Sequence, residues 1–174
     1  MWSIDWIMYK RILVPIDGSK PSDKALDHAI NLVKFISNGI SRGKNDRAEV
    51  TILYVIPDLP VPLAFETPMK SLKTGEVISF SDYIIEMHES MKTKALEMLS
   101  KKKKQYESQG ISMITKVIMG GSPSDRILEF GEDKKVDLIV VGNVGLSGIS
   151  KVKTLGSVSR SISERARCPV LIVH

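Results

Sequence analysis

Hydrophobic and polar positions along the chain resolve into five short apolar runs separated by longer stretches of helical periodicity. The runs occupy residues 12–16, 50–56, 111–118, 136–141 and 170–173. They are rich in β-branched residues and mostly uninterrupted, as expected of strands covered on both faces in a parallel sheet. The third is more mixed with polar residues, which suits a sheet edge. Between the runs, Leu26, Ala29, Ile30, Val33 and Ile36 recur at three- and four-residue intervals, and Met87, Met91, Ala95 and Met98 form a second stripe. We read the methionine stripe as core packing rather than as a cofactor box. Pro21 suits the first turn of the first helix. Ser122-Pro123-Ser124-Asp125 opens a third helix with a cap, a proline at the first position and an acid able to complete a capping box. Ser157 is the expected N-cap of a fourth helix, with Val158 and Ile162 facing inward. The alternation predicts a doubly wound α/β fold, a five-stranded parallel sheet with helices on both faces and right-handed crossovers.

The length of 174 residues predicts a single domain over 9–174 with a short N-terminal extension, 1–8. Residues 57–82 contain four prolines and read as an irregular insertion, more readily a lid than a loose loop because it leaves the carboxyl end of a strand. The net charge of +5 suits an anionic ligand but does not imply nucleic acid, and no nucleic-acid partner is expected. Lys101 to Lys104 read as the solvated face of a helix, because no aromatic residue interleaves with them. The single cysteine, Cys168, excludes an internal disulfide and a multi-thiolate metal site, and its apolar surroundings predict an unreactive thiol. Residues 1–7 lack the basic start and apolar core of a signal peptide, and no segment reaches the ~20 apolar residues of a membrane span. A cytoplasmic protein without membrane contact is expected.

The candidate chemistry lies at two strand ends. The fourth run leads into Gly142-Asn143-Val144-Gly145 and a basic, serine-rich loop that closes at Gly156-Ser157. Glycines between a strand and a helix permit positive φ and let backbone approach a ligand, and the helix opening beyond them offers unpaired amides at the positive end of its dipole. From Gly142 to Arg160 there are basic side chains (Lys151, Lys153 and Arg160) but no acidic one. Phosphate is the expected ligand of such a turn. The first run ends in Pro15-Ile16-Asp17-Gly18-Ser19. Asp17 alone reads as the start of an Asx turn with Gly18-Ser19. If its strand neighbours the fourth one, Asp17 faces the glycine loop across a crevice, where a carboxylate suits a sugar hydroxyl, an adenine amine or a metal ion held by phosphates.

These pieces resemble the universal stress protein family. The resemblance is carried by residues 12–19, Leu53-Tyr54-Val55-Ile56, Gly121-Ser122-Pro123, residues 140–145, Gly156-Ser157-Val158-Ser159 and residues 168–173, and so covers nearly the whole chain. It implies strand order 3-2-1-4-5. Nucleotide-binding members carry a loop of glycine, two residues, glycine, nine residues, then glycine and serine or threonine. The resemblance therefore implies ATP, AMP or ADP, with or without Mg²⁺, bound by phosphates at Gly142, Gly145, Gly156 and Ser157. It implies that Asp17 meets the ribose or adenine with Pro15 packed nearby. The Val55 backbone would meet the adenine edge, and Val141, Val144 and Val158 would line the pocket. Any metal contact of Asp17 would run through the nucleotide. This chain departs from the pattern in having ten residues, 146 to 155, between Gly145 and Gly156, so an extra residue must bulge, near Gly148 or Thr154.

No Walker-type phosphate loop, dinucleotide fingerprint or nucleophile elbow is present, and His28, His88 and His174 stand far apart with no spacing for a metal or a triad. Three roles stay open: a nucleotide-dependent stress sensor or regulator; a slow ATPase or autophosphorylating protein using Ser157 or Ser159; and a ligand-free dimeric scaffold. No catalytic residue is assigned. The short apolar edge strand 169–173 predicts a homodimer in each case.

Overall fold

A computed structural model describes residues 9–40, 48–59, 68–146 and 155–174. Its elements run β1 (Arg11–Pro15), α1 (Lys20–Ile40), β2 (Glu49–Ile56), β3 (Met69–Lys70), β4 (Val77–Ile78), α2 (Phe80–Glu107), β5 (Ser112–Met119), α3 (Pro123–Asp133), β6 (Leu138–Gly142), α4 (Ser157–Arg165) and β7 (Val170–Val173). Five strands form one parallel sheet in the order β5-β2-β1-β6-β7. That is 3-2-1-4-5 when its strands are counted along the chain. The order reverses between β1 and β6, where Ile12 sits beside Leu138 and Leu13 beside Ile139.

Alternating side chains of the same strands fill two cores, which explains the continuous apolar runs. On one face Ile12, Val14, Val50 and Ile52 pack with Leu26, Ile30 and Val33 of α1 and Leu99 of α2. On the other Leu13, Leu53, Ile139 and Val141 pack with Ile127 and Leu128 of α3 and Ile162 of α4. Polar staples join α1 to α2. The Tyr106 hydroxyl donates to Asp27 at 2.6 Å and Lys102 Nζ donates to Asp23 at 2.7 Å. The tetralysine run is thus not uniformly solvated, because Lys102 is drawn in by an acid across the helix pair.

Several local expectations are corrected by contacts distant in sequence. The fourth strand starts at Leu138 rather than 136, because the Asp137 carboxylate turns to accept the backbone amides of Lys10 and Arg11. Ser122 is the N-cap of α3 but makes no capping bond, and Asp125 forms an ion pair with Arg165 at 2.6 Å instead of closing a box. Gly156, not Ser157, is the N-cap of α4. The segment 57–82 is less irregular than its prolines imply. Residues 69–70 and 77–78 pair as an antiparallel hairpin, and α2 already begins at Phe80 under the Ser79 cap. Glu86 of α2 holds the hairpin by accepting from the Ser71 hydroxyl at 2.8 Å and the Leu72 amide at 2.7 Å. Residues 60–67 of that segment lie outside the described residues. No helix among the described residues is long and apolar enough to cross a membrane.

Candidate functional site

A crevice of about 490 Å³ opens at the carboxyl ends of β1, β2 and β6, at the reversal of strand order. Pro15, Asp17, Val55, Val141, Gly142, Val144, Gly145, Gly156, Ser157 and Val158 all line it. Parallel register accounts for the convergence. Pro15 of β1 lies beside Leu53, two residues before Val55, and β6 delivers Gly142 on the other side.

The glycines serve close packing rather than left-handed backbone. Gly18, in the turn after Asp17, does have φ +86°, whereas Gly142, Gly145 and Gly156 do not occupy that region. A Cβ on Gly142 would lie 2.7 Å from the carbonyl carbon of Pro21, so its absence lets the first turn of α1 close on β6. A Cβ on Gly145 would lie 2.6 Å from Asp17 Oδ2, and one on Gly156 would lie 3.3 Å from Val144 Cα. At Gly142, Gly145 and Gly156 close approach, not positive φ, is thus the property of glycine that is used.

The loop is held at its stem by a single carbonyl. Asn143 accepts from the Gly156 amide at 2.8 Å and from the Ser159 hydroxyl at 3.0 Å. Ser159 is buried and also donates to the Gly142 carbonyl at 2.8 Å. Residues 143 and 156 are thereby brought together, whatever the length of the chain between them. The positions expected for the added residue, Gly148 and Thr154, lie outside the described residues, as do Lys151 and Lys153. Gly156 has no side chain with which to cap α4, and Ser157 and Val158 of its first turn line the crevice at the positive end of the helix. Arg160 is exposed and does not line the crevice. Asn143 also joins the chain end: its amide donates to the Val173 carbonyl at 2.8 Å, and its side chain lies 3.0 Å from His174 Nδ1.

Asp17 forms the expected Asx turn and faces the glycine loop. Oδ1 accepts the Ser19 amide at 2.9 Å, which is the Asx turn, and Oδ2 accepts the Leu146 amide at 2.9 Å across the crevice. Burial pushes its carboxyl up, but the Ser19 hydroxyl and the Ser19 and Leu146 amides, with the Ser22 hydroxyl, outweigh it and hold the group below its usual 3.8. It is a carboxylate at neutral pH.

Further residues complete the wall without a sequence signal. Tyr54 lines the crevice beside Val55, and burial together with the Asp17 charge pushes its hydroxyl up. Met91 turns one member of the methionine stripe toward the crevice, whereas Met98 packs against the core. Ile127 and Pro123 close the side formed by α3. Cys168 lies in a separate hollow at the opposite end of the sheet, and burial with the nearby Asp137 pushes its thiol up. No group of three or more His, Cys, Asp or Glu placed to hold a metal occurs among the described residues.

An apolar cleft ending in a helix turn with a glycine N-cap and faced by one half-buried acid is suited to hold an anion attached to a polar ring system. Comparison with known proteins agrees with this architecture. The family model described as the universal stress protein family matches residues 8–174. Universal stress protein YxiE of Bacillus subtilis is 36% identical over 96% of this chain and 100% of its own length. A universal stress protein of Methanocaldococcus jannaschii is 35% identical over 95% of this chain and 82% of its own. Among solved structures, UspA from Lactobacillus plantarum shares the fold with a TM-score of 0.71 at 23% identity, covering 95% of this chain and 98% of that one. Two others share the fold more distantly. One is a universal stress protein in complex with cAMP (TM-score 0.60, 23% identity, 96% and 98% covered). The other is a family protein from Arabidopsis thaliana with AMP bound (TM-score 0.54, 18% identity, 94% and 90% covered). Strand order, strand-end motifs and matches that run the length of the chain converge: this protein belongs to the universal stress protein family.

Proposed function

We propose that this protein binds ATP or another adenine nucleotide in the crevice and acts in the cytoplasm as a stress-response sensor or regulator. The observation that carries the reading is the meeting of two unlike features in one cleft, the first turn of α4 with its glycine N-cap and the Asp17 carboxylate. Phosphates take the amides at Ser157 and Val158 with the Ser157 hydroxyl, close to Gly142, Gly145 and Gly156. Asp17 takes a ribose hydroxyl or the adenine amine, with Pro15 and the Val55 backbone beside it. Val141, Val144 and Val158 supply the apolar wall. The volume of about 490 Å³ falls in the range of roughly 300–1,000 Å³ usual for small-molecule sites. Mg²⁺ accompanies the nucleotide through its phosphates, because Asp17 is the one carboxylate among the described lining residues and cannot cage an ion alone. The cAMP- and AMP-bound relatives support adenine as the base. A homodimer forms through the edge of β7, where Leu171 is exposed.

Calorimetric titration of the purified protein with ATP and magnesium tests the reading, and saturable binding is the expected result. Gly156→Val pushes a branched side chain toward Val144 and Asn143 and is expected to weaken binding at least about tenfold. Absence of saturable binding by the unaltered protein, or undiminished affinity in the variant, would remove the site. A second reading, slow self-phosphorylation, is favoured at Ser157 over Ser159: both line the crevice, but Ser157 is exposed while Ser159 is buried with its hydroxyl donated to two carbonyls. Labelled ATP and mapping of the modified residue decide it.

A further inference from the structure

Resting on the nucleotide reading of the crevice, we infer that Asp17 is a positioning residue for the glycine loop, so that one carboxylate ties recognition of the nucleoside to the placement of the phosphate-binding backbone. Two separate constraints meet at Oδ2. It accepts the amide of Leu146, 129 residues away in sequence, at 2.9 Å. It also occupies the space that a Cβ on Gly145 would need, 2.6 Å away. The carboxylate is itself fixed from behind by the Ser19 amide on Oδ1. The stem of the loop is closed independently at the Asn143 carbonyl by Gly156 and Ser159. The limb that carries Gly145 is thus braced by Asp17 and the stem by Asn143.

This arrangement also accounts for an acid in a site meant for an anion. A bare carboxylate beside phosphates repels them. Asp17 has its charge met by amide hydrogens of both its own turn and the opposing loop, and in return it sets where that loop lies. Removing the carboxylate frees the Leu146 amide and the limb that carries Gly145, and that side of the phosphate site loses its preorganisation.

Titration of native, D17A and D17N protein with magnesium ATP and with magnesium tripolyphosphate, which lacks a nucleoside, separates the two roles of Asp17. The loop role requires D17A to weaken both ligands by a similar factor, about tenfold, the effect of losing one charge-assisted hydrogen bond. D17N keeps an acceptor oxygen and falls in between; being isosteric, it serves as the probe if D17A does not fold. Tripolyphosphate affinity that is unchanged or improved while ATP affinity falls would overturn the inference and leave Asp17 to the nucleoside alone. Exchange of the Leu146 amide, followed by NMR without ligand, gives an independent readout. It is expected to be slow in native protein and at least about tenfold faster in the variants. Equal exchange in native and variant protein overturns the inference even if nucleotide binds. Protected exchange that is lost in the variants, with neither ligand bound, instead refutes the nucleotide reading and leaves the contact between Asp17 and the loop standing.

Discussion

Asp17 and Gly142 are read correctly only when their neighbours are known. The Asp17 carboxyl is held below its usual value in the folded chain, so its hydrogen bonds contribute stability that is present above pH 4 and is lost as pH falls through the lowered value. Asp17→Asn, which does not titrate, should be less stable than the native protein by about 1–2 kcal/mol at pH 7, with the gap closing as pH falls below the usual 3.8. Thermal unfolding of both proteins across that range measures it; a gap that widens on acidification contradicts the assignment. Gly142 tests packing instead. Gly142→Ala sets a methyl group against the Pro21 backbone, which cannot swing away as a side chain would, at an expected cost of about 1–3 kcal/mol in urea unfolding.

Elements meet through a few polar ties between long apolar contacts. The first turn of α4 is locked to the end of β6 by the Ser159 hydroxyl, which serves the carbonyls of Gly142 and Asn143. Ser159→Ala leaves a small residue of good helix propensity and removes both bonds, so a loss of about 1–2 kcal/mol in denaturant unfolding reports the tie itself. The hairpin formed by β3 and β4 is a different case. Each strand has two residues, too few to carry a periodic pattern, and its anchor is Glu86 on the following helix. No window of local sequence contains both halves of that interaction.

At the scale of the whole molecule, the sheet ends in two unlike edges. β5 is eight residues long with Lys116 at its middle, whereas β7 is a four-residue run with no charged side chain. Charge on an edge strand discourages pairing with another chain, and its absence invites it. Leu171→Glu places a charge on β7 at a residue that is 41% exposed in the single chain. The substitution should give a monomer in light scattering where the native protein gives a dimer, with little loss of thermal stability; a native monomer, or a variant that remains dimeric, rules out this edge as the interface.

The alternation of the five sheet strands with four helices was legible in the sequence because it rests on local regularity, and the order of those strands in the sheet was implied by the family resemblance. Uninterrupted β-branched runs mark strands buried on both faces, three- and four-residue spacing marks the helices, and the glycine loop and Asp17 stand where those runs end. The tertiary structure alone decided how these parts engage. It turned Asp137 from strand to cap of β1, gave Asp125 to Arg165 rather than to its own helix, and seated Asp17 on the Leu146 amide. It also explained three glycines by the atoms pressed against them rather than by their torsions. The physical reason is common to all of these: a hydrogen-bonding group or a missing methyl takes its meaning from a partner brought near by folding, and no periodicity along the chain encodes that partner.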